Sequence, residues 1–156
     1  MNQIMCPIIL REKIQKLEDE ILQSPNALDP KSLKTVHYLA KGLYARELTI
    51  PKNYMLTGMV HKCEHINIIS KGRILVLTED GPKEIVAPCT LISKPGIKRV
   101  GLALEETVWT TIHANVTDET EIEKLEQELV VDTYEDYEKY LLGKEPQEGE
   151  CLLSRP

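Results

Sequence analysis

The sequence has no phenylalanine and a single tryptophan, Trp109, in 156 residues. Hydrophobic residues still make up 42% of the chain, so a core is available, and it must be aliphatic. Long apolar runs are missing as well. No stretch approaches the roughly 20 residues that a membrane-spanning helix needs. Basic residues are in deficit: 19 Lys and Arg face 25 Asp and Glu, a formal net charge of −6. Such a balance excludes a general electrostatic grip on nucleic acid or on an anionic membrane, so any cationic site has to be local. The four cysteines, Cys6, Cys63, Cys89 and Cys151, form no C-x-x-C pair and no zinc-finger spacing. MNQIMCPIILR carries no positive region ahead of its apolar patch and no small-residue cleavage site, so it does not read as a leader. Cys151 lies too far from the last residue for a prenylation box. Scattered thiols in such a chain are expected to stay reduced in a cytoplasm.

What is present falls into three parts. Residues 8–23 read as a helix, because Leu10, Ile14, Leu17 and Ile21 recur at helical spacing before Ser24-Pro25-Asn26 stops it. A series of short runs then alternates with turn signals: Tyr44–Ile50, Tyr54–Val60, Ile66–Ile69, Arg73–Thr78, Lys83–Ala87, Thr90–Ser93, Val100–Leu104 and Thr107–Ala114. Short strands at this spacing predict an antiparallel sandwich or barrel. Two helical stripes follow. Asp118 and Glu121 form a capping-box pattern ahead of Ile122, Leu125 and Leu129, and Asp132 and Glu135 repeat it ahead of Tyr137 and Leu141. The organisation expected is a helix and linker over 1–36, a single β-domain over 37–116, helices over 117–143 and a mobile tail over 144–156. The helical stripes have no obvious mate inside a small barrel, which predicts a homo-oligomer.

The most informative stretch is LTGMVHKCEHINIISKGRILVLTEDG, from Leu56 to Gly81. It places coordinating side chains, His61 and His65, in a strand pattern where core residues are expected. Residues four apart in an extended strand face the same way but lie about 13 Å from each other. The two histidines therefore share a site only if the chain turns a corner between them. Cys63 alternates onto the same face and reads as a small buried thiol. His113, late on the last predicted strand, is the third candidate. Three imidazoles suit Zn, Fe, Ni or Cu, with open positions for water or substrate.

Barrel strands with early histidines and a later Pro-Gly turn resemble the cupin superfamily. Gly72 stands at the interval after His65 where the first cupin motif closes with a glycine. On that alignment His65 takes the place of the family's metal-binding glutamate, His61 that of its second histidine, and Met59 that of its first. In the second motif Gly96 is in place, the proline, Pro95, is one position late, and Arg99 stands where the family has a histidine. The runs YARE, GMVHKCEHINIISKGRI, TEDG, SKPGIKRVG and TVWTTIH, followed by an acidic helix, are similar to small cupin-like proteins of bacteriophages and prophages. That likeness implies a jelly-roll β-barrel with helical extensions and a viral setting. It implies no particular activity.

On the cupin alignment Arg99 points into the barrel beside the histidines, and a guanidinium there makes an anion site. The ligand-binding set expected is Arg99, Lys98, His61, His65, His113, Tyr44 and Trp109, the two aromatics serving as walls. The metal set expected is His61, His65 and His113, for a divalent transition ion. Arg46 and Glu47, adjacent on a strand, face opposite ways and are expected to pair with neighbouring charges. The favoured function is binding of a small anionic ligand without catalysis, with sequestration of a nucleotide-type defence signal as one use. The alternatives are a metal-dependent isomerase or oxygenase, and a phage scaffold protein with a plugged barrel.

Overall fold

The computed structural model describes residues 7–23, 32–78 and 81–143. The chain runs α1 (Pro7–Gln23), β1 (Lys34–Ala40), β2 (Leu43–Ile50), β3 (Met55–Thr57), β4 (Val60–His61), β5 (His65–Lys71), β6 (Arg73–Thr78), β7 (Gly81–Val86), β8 (Cys89–Ser93), β9 (Val100–Ala103), β10 (Thr107–Ala114), α2 (Ile122–Leu129), β11 (Val130–Val131) and α3 (Tyr134–Leu142). The larger sheet has the order β1-β2-β10-β5-β8 and the smaller one β3-β9-β6-β7. Every pairing is antiparallel. The result is an all-β, antiparallel double sheet with an N-terminal helix and C-terminal helices. The two large sheets face each other, and among the described residues no hydrogen-bonded seam closes them into one barrel.

Their facing sides hold the aliphatic core: Ile50, Ile69, Ile74, Val76, Ile85 and Ala103 are buried, and Leu48, Leu56 and Trp109 pack against them. The chain changes sheets at Gly72, between β5 and β6. This glycine has φ +89, and a Cβ on it would overlap the Glu106 carbonyl oxygen and Thr107 Cα. Both the left-handed backbone and the close approach demand a residue without a side chain.

α1 lies on the outer side of the smaller sheet. Leu10 and Ile14 are buried there with Val100, and Leu17, Ile21, Leu77 and Tyr134 pack around them. Leu125 and Leu129 of α2 are buried with Tyr44 and Val130. The stripes of α1 and α2 thus find mates within the chain, while in the α3 stripe Tyr137 is buried and Leu141 stays exposed.

Several local readings shift. The expected run Tyr54–Val60 breaks at Gly58 into β3 and β4, and β4 pairs instead with β11. His37 sits in β1, exposed as expected, with its Nδ1 2.8 Å from the Tyr44 phenol oxygen, Oη. Asp118 is not a helix cap. It has φ +50, and its carboxylate accepts from the Gly42 N–H at 2.6 Å, while the α2 N-cap position is Glu121. α3 is capped by Thr133, one residue after the expected Asp132: its Oγ1 accepts from Asp136 N–H at 3.0 Å and donates to Asp136 Oδ2 at 2.6 Å. The tail 144–156, the turn residues Glu79 and Asp80, and Cys6 and Cys151 lie outside the described residues.

Gly72→Ala is expected to destabilise the fold by more than about 1 kcal/mol, through backbone strain plus overlap. Gly42→Ala, also at positive φ but with open space around it, is the milder control. Urea unfolding of the two variants checks the order.

Candidate functional site

Alternation along three neighbouring strands of the larger sheet stacks the inward residues in layers. Register places Tyr44 opposite His113, then Arg46 opposite Thr111, then Leu48 opposite Trp109. On the other side of β10, Thr111 faces Asn67 and Trp109 faces Ile69. One end of the space between the sheets is therefore polar and the other apolar. His65 opens β5 at the polar end.

His61 reaches the same place because the chain does turn a corner. β4 ends at His61, residues 62–64 bend, and β5 begins at His65. β11 holds His61 in register opposite Val130, and the His61 carbonyl accepts from the Gly96 N–H at 2.8 Å. The imidazoles pack together: ring centroids are 4.0 Å apart for His61 and His65, 5.0 Å for His61 and His113, and 4.8 Å for His65 and His113. His61 Nδ1 and His113 Nε2 approach to 3.1 Å.

Each ring is held neutral. Burial, then the charges of His65 and His113 and of Arg46 and Arg99, pushes His61 well below the usual histidine range. Burial lowers His113 to about 3, with His65 and Arg46 adding to it. Burial lowers His65 too, against the hydrogen bond from its ring to the Cys63 carbonyl. That bond, Nδ1 to oxygen at 3.0 Å, fixes the tautomer and leaves Nε2 as the unprotonated nitrogen. His113 Nδ1 is buried with no hydrogen-bond partner among the described residues.

A metal ion fits this donor set. One nitrogen from each ring lies within 4.8 Å of the other two. Two nitrogens bound to one ion at about 2.05 Å stand roughly 3 Å apart, so the His61–His113 approach suits a shared ion as well as a hydrogen bond. Neutral imidazoles need lose no proton to bind.

The same cavity, about 120 Å³, is lined by Tyr44, Arg46, Arg99, Trp109 and Glu126 besides the three histidines. Arg46 Nη1 lies 3.6 Å from Glu126 Oε1 of α2, so this guanidinium both lines the cavity and pairs with a helix at its edge. Burial and the nearby Glu126 push the Tyr44 phenol up to about 12. Asn67 is already committed. Its amide donates to Ser93 Oγ at 2.7 Å, and its oxygen accepts from Trp109 Nε1 at 2.9 Å and Thr111 Oγ1 at 3.2 Å.

Of the residues named from sequence, His61, His65, His113, Arg99, Tyr44 and Trp109 line the cavity. Lys98 does not, which corrects its place in the ligand set. Its ammonium is buried under α1, 2.6 Å from Glu18 Oε2 and 2.9 Å from the Asp132 carbonyl oxygen. Asn67, Thr111 and Glu126 also line the cavity without having been named, and Arg46, expected only to pair with a neighbouring charge, does so with Glu126 and lines the cavity as well. The signal for Arg46 was its parity with Tyr44 and Leu48 on one strand face. Glu126 had none, because it arrives on a helix.

No protein-family model matches the chain, and no curated protein matches it. Cupins recur among the solved structures it resembles. A cupin superfamily protein from Desulfitobacterium hafniense aligns with a TM-score of 0.46 at 7% identity, over 56% of this chain and 81% of that one. KdgF from Halomonas sp. aligns at 0.46 and 11%, over 55% and 81%. The cupin domain of Schizosaccharomyces pombe Cnp3 aligns at 0.47 and 13%, over 67% and 72%. Among the described residues no helix is long and apolar enough to cross a membrane.

Two outcomes are expected. Lys98→Ala strands Glu18 in a partly buried place and should cost about 3 kcal/mol in urea unfolding. Stability without metal should also fall in acid. An unfolded histidine takes up its proton near pH 6.5, whereas folded His113 does so only near pH 3. Between those values the unfolded state binds more protons, so stability drops as pH falls, by about 1.4 kcal/mol per pH unit for each ring held neutral. Urea titrations in chelator from about pH 7.5 to about pH 5 should show this slope, reduced in His113→Gln.

Proposed function

We propose that this protein holds a divalent transition-metal ion on His61, His65 and His113 and binds a small organic anion beside it, at the end of the cavity lined by Arg46 and Arg99. The observation that carries this reading is the meeting of three neutral imidazoles, His65 and His113 buried and His61 half-buried, each offering a nitrogen within 4.8 Å of the others. A bound ion would supply a Lewis-acidic position with coordination sites left for ligand oxygens. The guanidiniums would orient those oxygens by charge-assisted hydrogen bonds.

Binding is favoured over catalysis by the titration of the lining. Tyr44 is raised to about 12 and so is not tuned to exchange a proton near neutral pH, and the three imidazoles are taken up as metal ligands. The metal-dependent isomerase or oxygenase is the second reading, supported by the same histidines. Likeness of the sequence runs to phage proteins supports a viral protein acting in the host cytoplasm. A nucleotide-type ligand is not favoured. A cavity of about 120 Å³ is smaller than the roughly 150 Å³ that encloses one benzene.

The test is a titration of untagged, chelator-stripped protein with Zn²⁺ and Co²⁺, followed by calorimetry and the Co²⁺ visible spectrum. One equivalent is expected to bind. At metal about 100-fold above Kd, unfolding free energy should rise by about 2.7 kcal/mol. His61→Ala, His65→Ala and His113→Ala should each weaken binding by about 100-fold or more, at or above what loss of an outer-shell partner costs. Absence of stoichiometric metal binding in the wild-type protein would overturn the metal half of the proposal.

A further inference from the structure

Taking as given that an anion is bound at the polar end of the cavity, we infer that its ligand is a small monocarboxylate carrying a compact apolar body of about three carbons. The cavity does not stop at the histidines and arginines. Past the Arg46 layer its lining turns apolar on both sheets: Leu48, Ile50 and Trp109 on the larger, Leu56, Ile74 and Val76 on the smaller. The polar groups at the boundary, Asn67, the Thr111 hydroxyl and the Trp109 indole N–H, are hydrogen-bonded to one another. They present an already satisfied surface to whatever passes them. Water entering this end would meet almost nothing to bond, while a hydrocarbon would gain its full transfer free energy.

Gly101 keeps this end from filling. It lies in β9 in register with Leu56 of β3 and Val76 of β6, on the inward row of the smaller sheet. Ile74 already packs on its backbone: a Cβ built there would meet Ile74 Cδ1 at 2.9 Å and Leu56 Cδ2 at 3.8 Å. A larger residue would therefore push the Ile74 side chain into the room that the apolar body needs. Total room of about 120 Å³, less than the roughly 150 Å³ that takes up one benzene, has to hold head and body together and limits the body to about three carbons.

Head and body are therefore dictated separately. A planar, singly charged carboxylate suits a guanidinium bidentately and carries less desolvation cost into a half-apolar cavity than a phosphate dianion.

The experiment is calorimetry of the full chain against acetate, propionate, butyrate, hexanoate, benzoate and octanoate, with butanol and propyl phosphate as head-group controls. It is run on metal-loaded and on chelator-stripped protein. Affinity is expected to rise about fourfold per added methylene up to butyrate and to fall at hexanoate, benzoate and octanoate. Butanol and propyl phosphate should bind at least tenfold more weakly than butyrate. Gly101→Val should lower the ratio of butyrate to acetate affinity at least tenfold. Ile74→Val, which removes one methylene with little threat to folding, should move the optimum to a longer acid. A flat series, tighter binding of propyl phosphate than butyrate, or an optimum unmoved by Ile74→Val overturns the inference. Carboxylates that rise with chain length while no metal binds would instead leave the inference standing and sink the metal half of the function proposed above.

Discussion

Three imidazoles can be packed against one another inside a protein only if they are uncharged. Two protonated rings at the separations seen here, 4.0 to 5.0 Å between centroids, would repel by about 4 kcal/mol even at an effective dielectric constant near 20. Burial makes this worse by penalising each charge on its own. Arg46 and Arg99 add positive charge at the same end of the cavity. The cluster is thus a pool of unprotonated nitrogen lone pairs kept in a cationic surrounding. That combination repels protons and is suited to an ion whose own ligands bring negative charge.

The rest of the structure supports that constraint. The bend at residues 62–64 converts a separation that an extended strand would make too long into ring-to-ring contact. β11 and α2 then cap the bend, with Lys62 N–H donating to the Leu129 carbonyl at 2.8 Å. Asn67, Ser93, Thr111 and Trp109 form a closed hydrogen-bond set beneath the histidines, so the polar end rests on a floor with fixed geometry. α1 is pinned to the outer side of the smaller sheet by a buried Lys98–Glu18 pair as well as by its leucine and isoleucine stripe. Each of these features limits how the rings can move.

Much of this was legible in the sequence, for identifiable reasons. The strands Arg73–Thr78 and Thr107–Ala114 agree with β6 and β10 to the residue, because each is a β-rich run bounded by turn residues. His61, His65 and His113 stood out as polar side chains in core positions. What the sequence hid is what depends on distant partners. Lys98 and Arg99 look alike beside a Pro-Gly turn, yet one faces α1 and the other the cavity. Glu18, the partner that draws Lys98 away, is 80 residues earlier. Arg46 read as an ordinary strand charge because Glu126, the carboxylate that pairs with it, arrives on a helix. Asp118 carried a capping signature and is used to tie down the Gly42 N–H instead, since a short carboxylate at positive φ serves a turn as readily as a helix start.

The positions where local rules fail are grouped in one place. A strand interior should not contain histidines without charge partners, a buried ring nitrogen should not lack a hydrogen bond, and a strand facing a core should not carry glycine. His61, His65, His113 Nδ1 and Gly101 break these rules within one cavity, while the remaining core of isoleucine, leucine and valine obeys them. Random imperfection would scatter such departures over the fold. Their concentration around one hollow, half basic and half apolar, is what a binding site costs a small domain. The stability lost there is offset by features elsewhere, such as the glycine corner at Gly72 and the covered stripe of α1, which serve the fold alone.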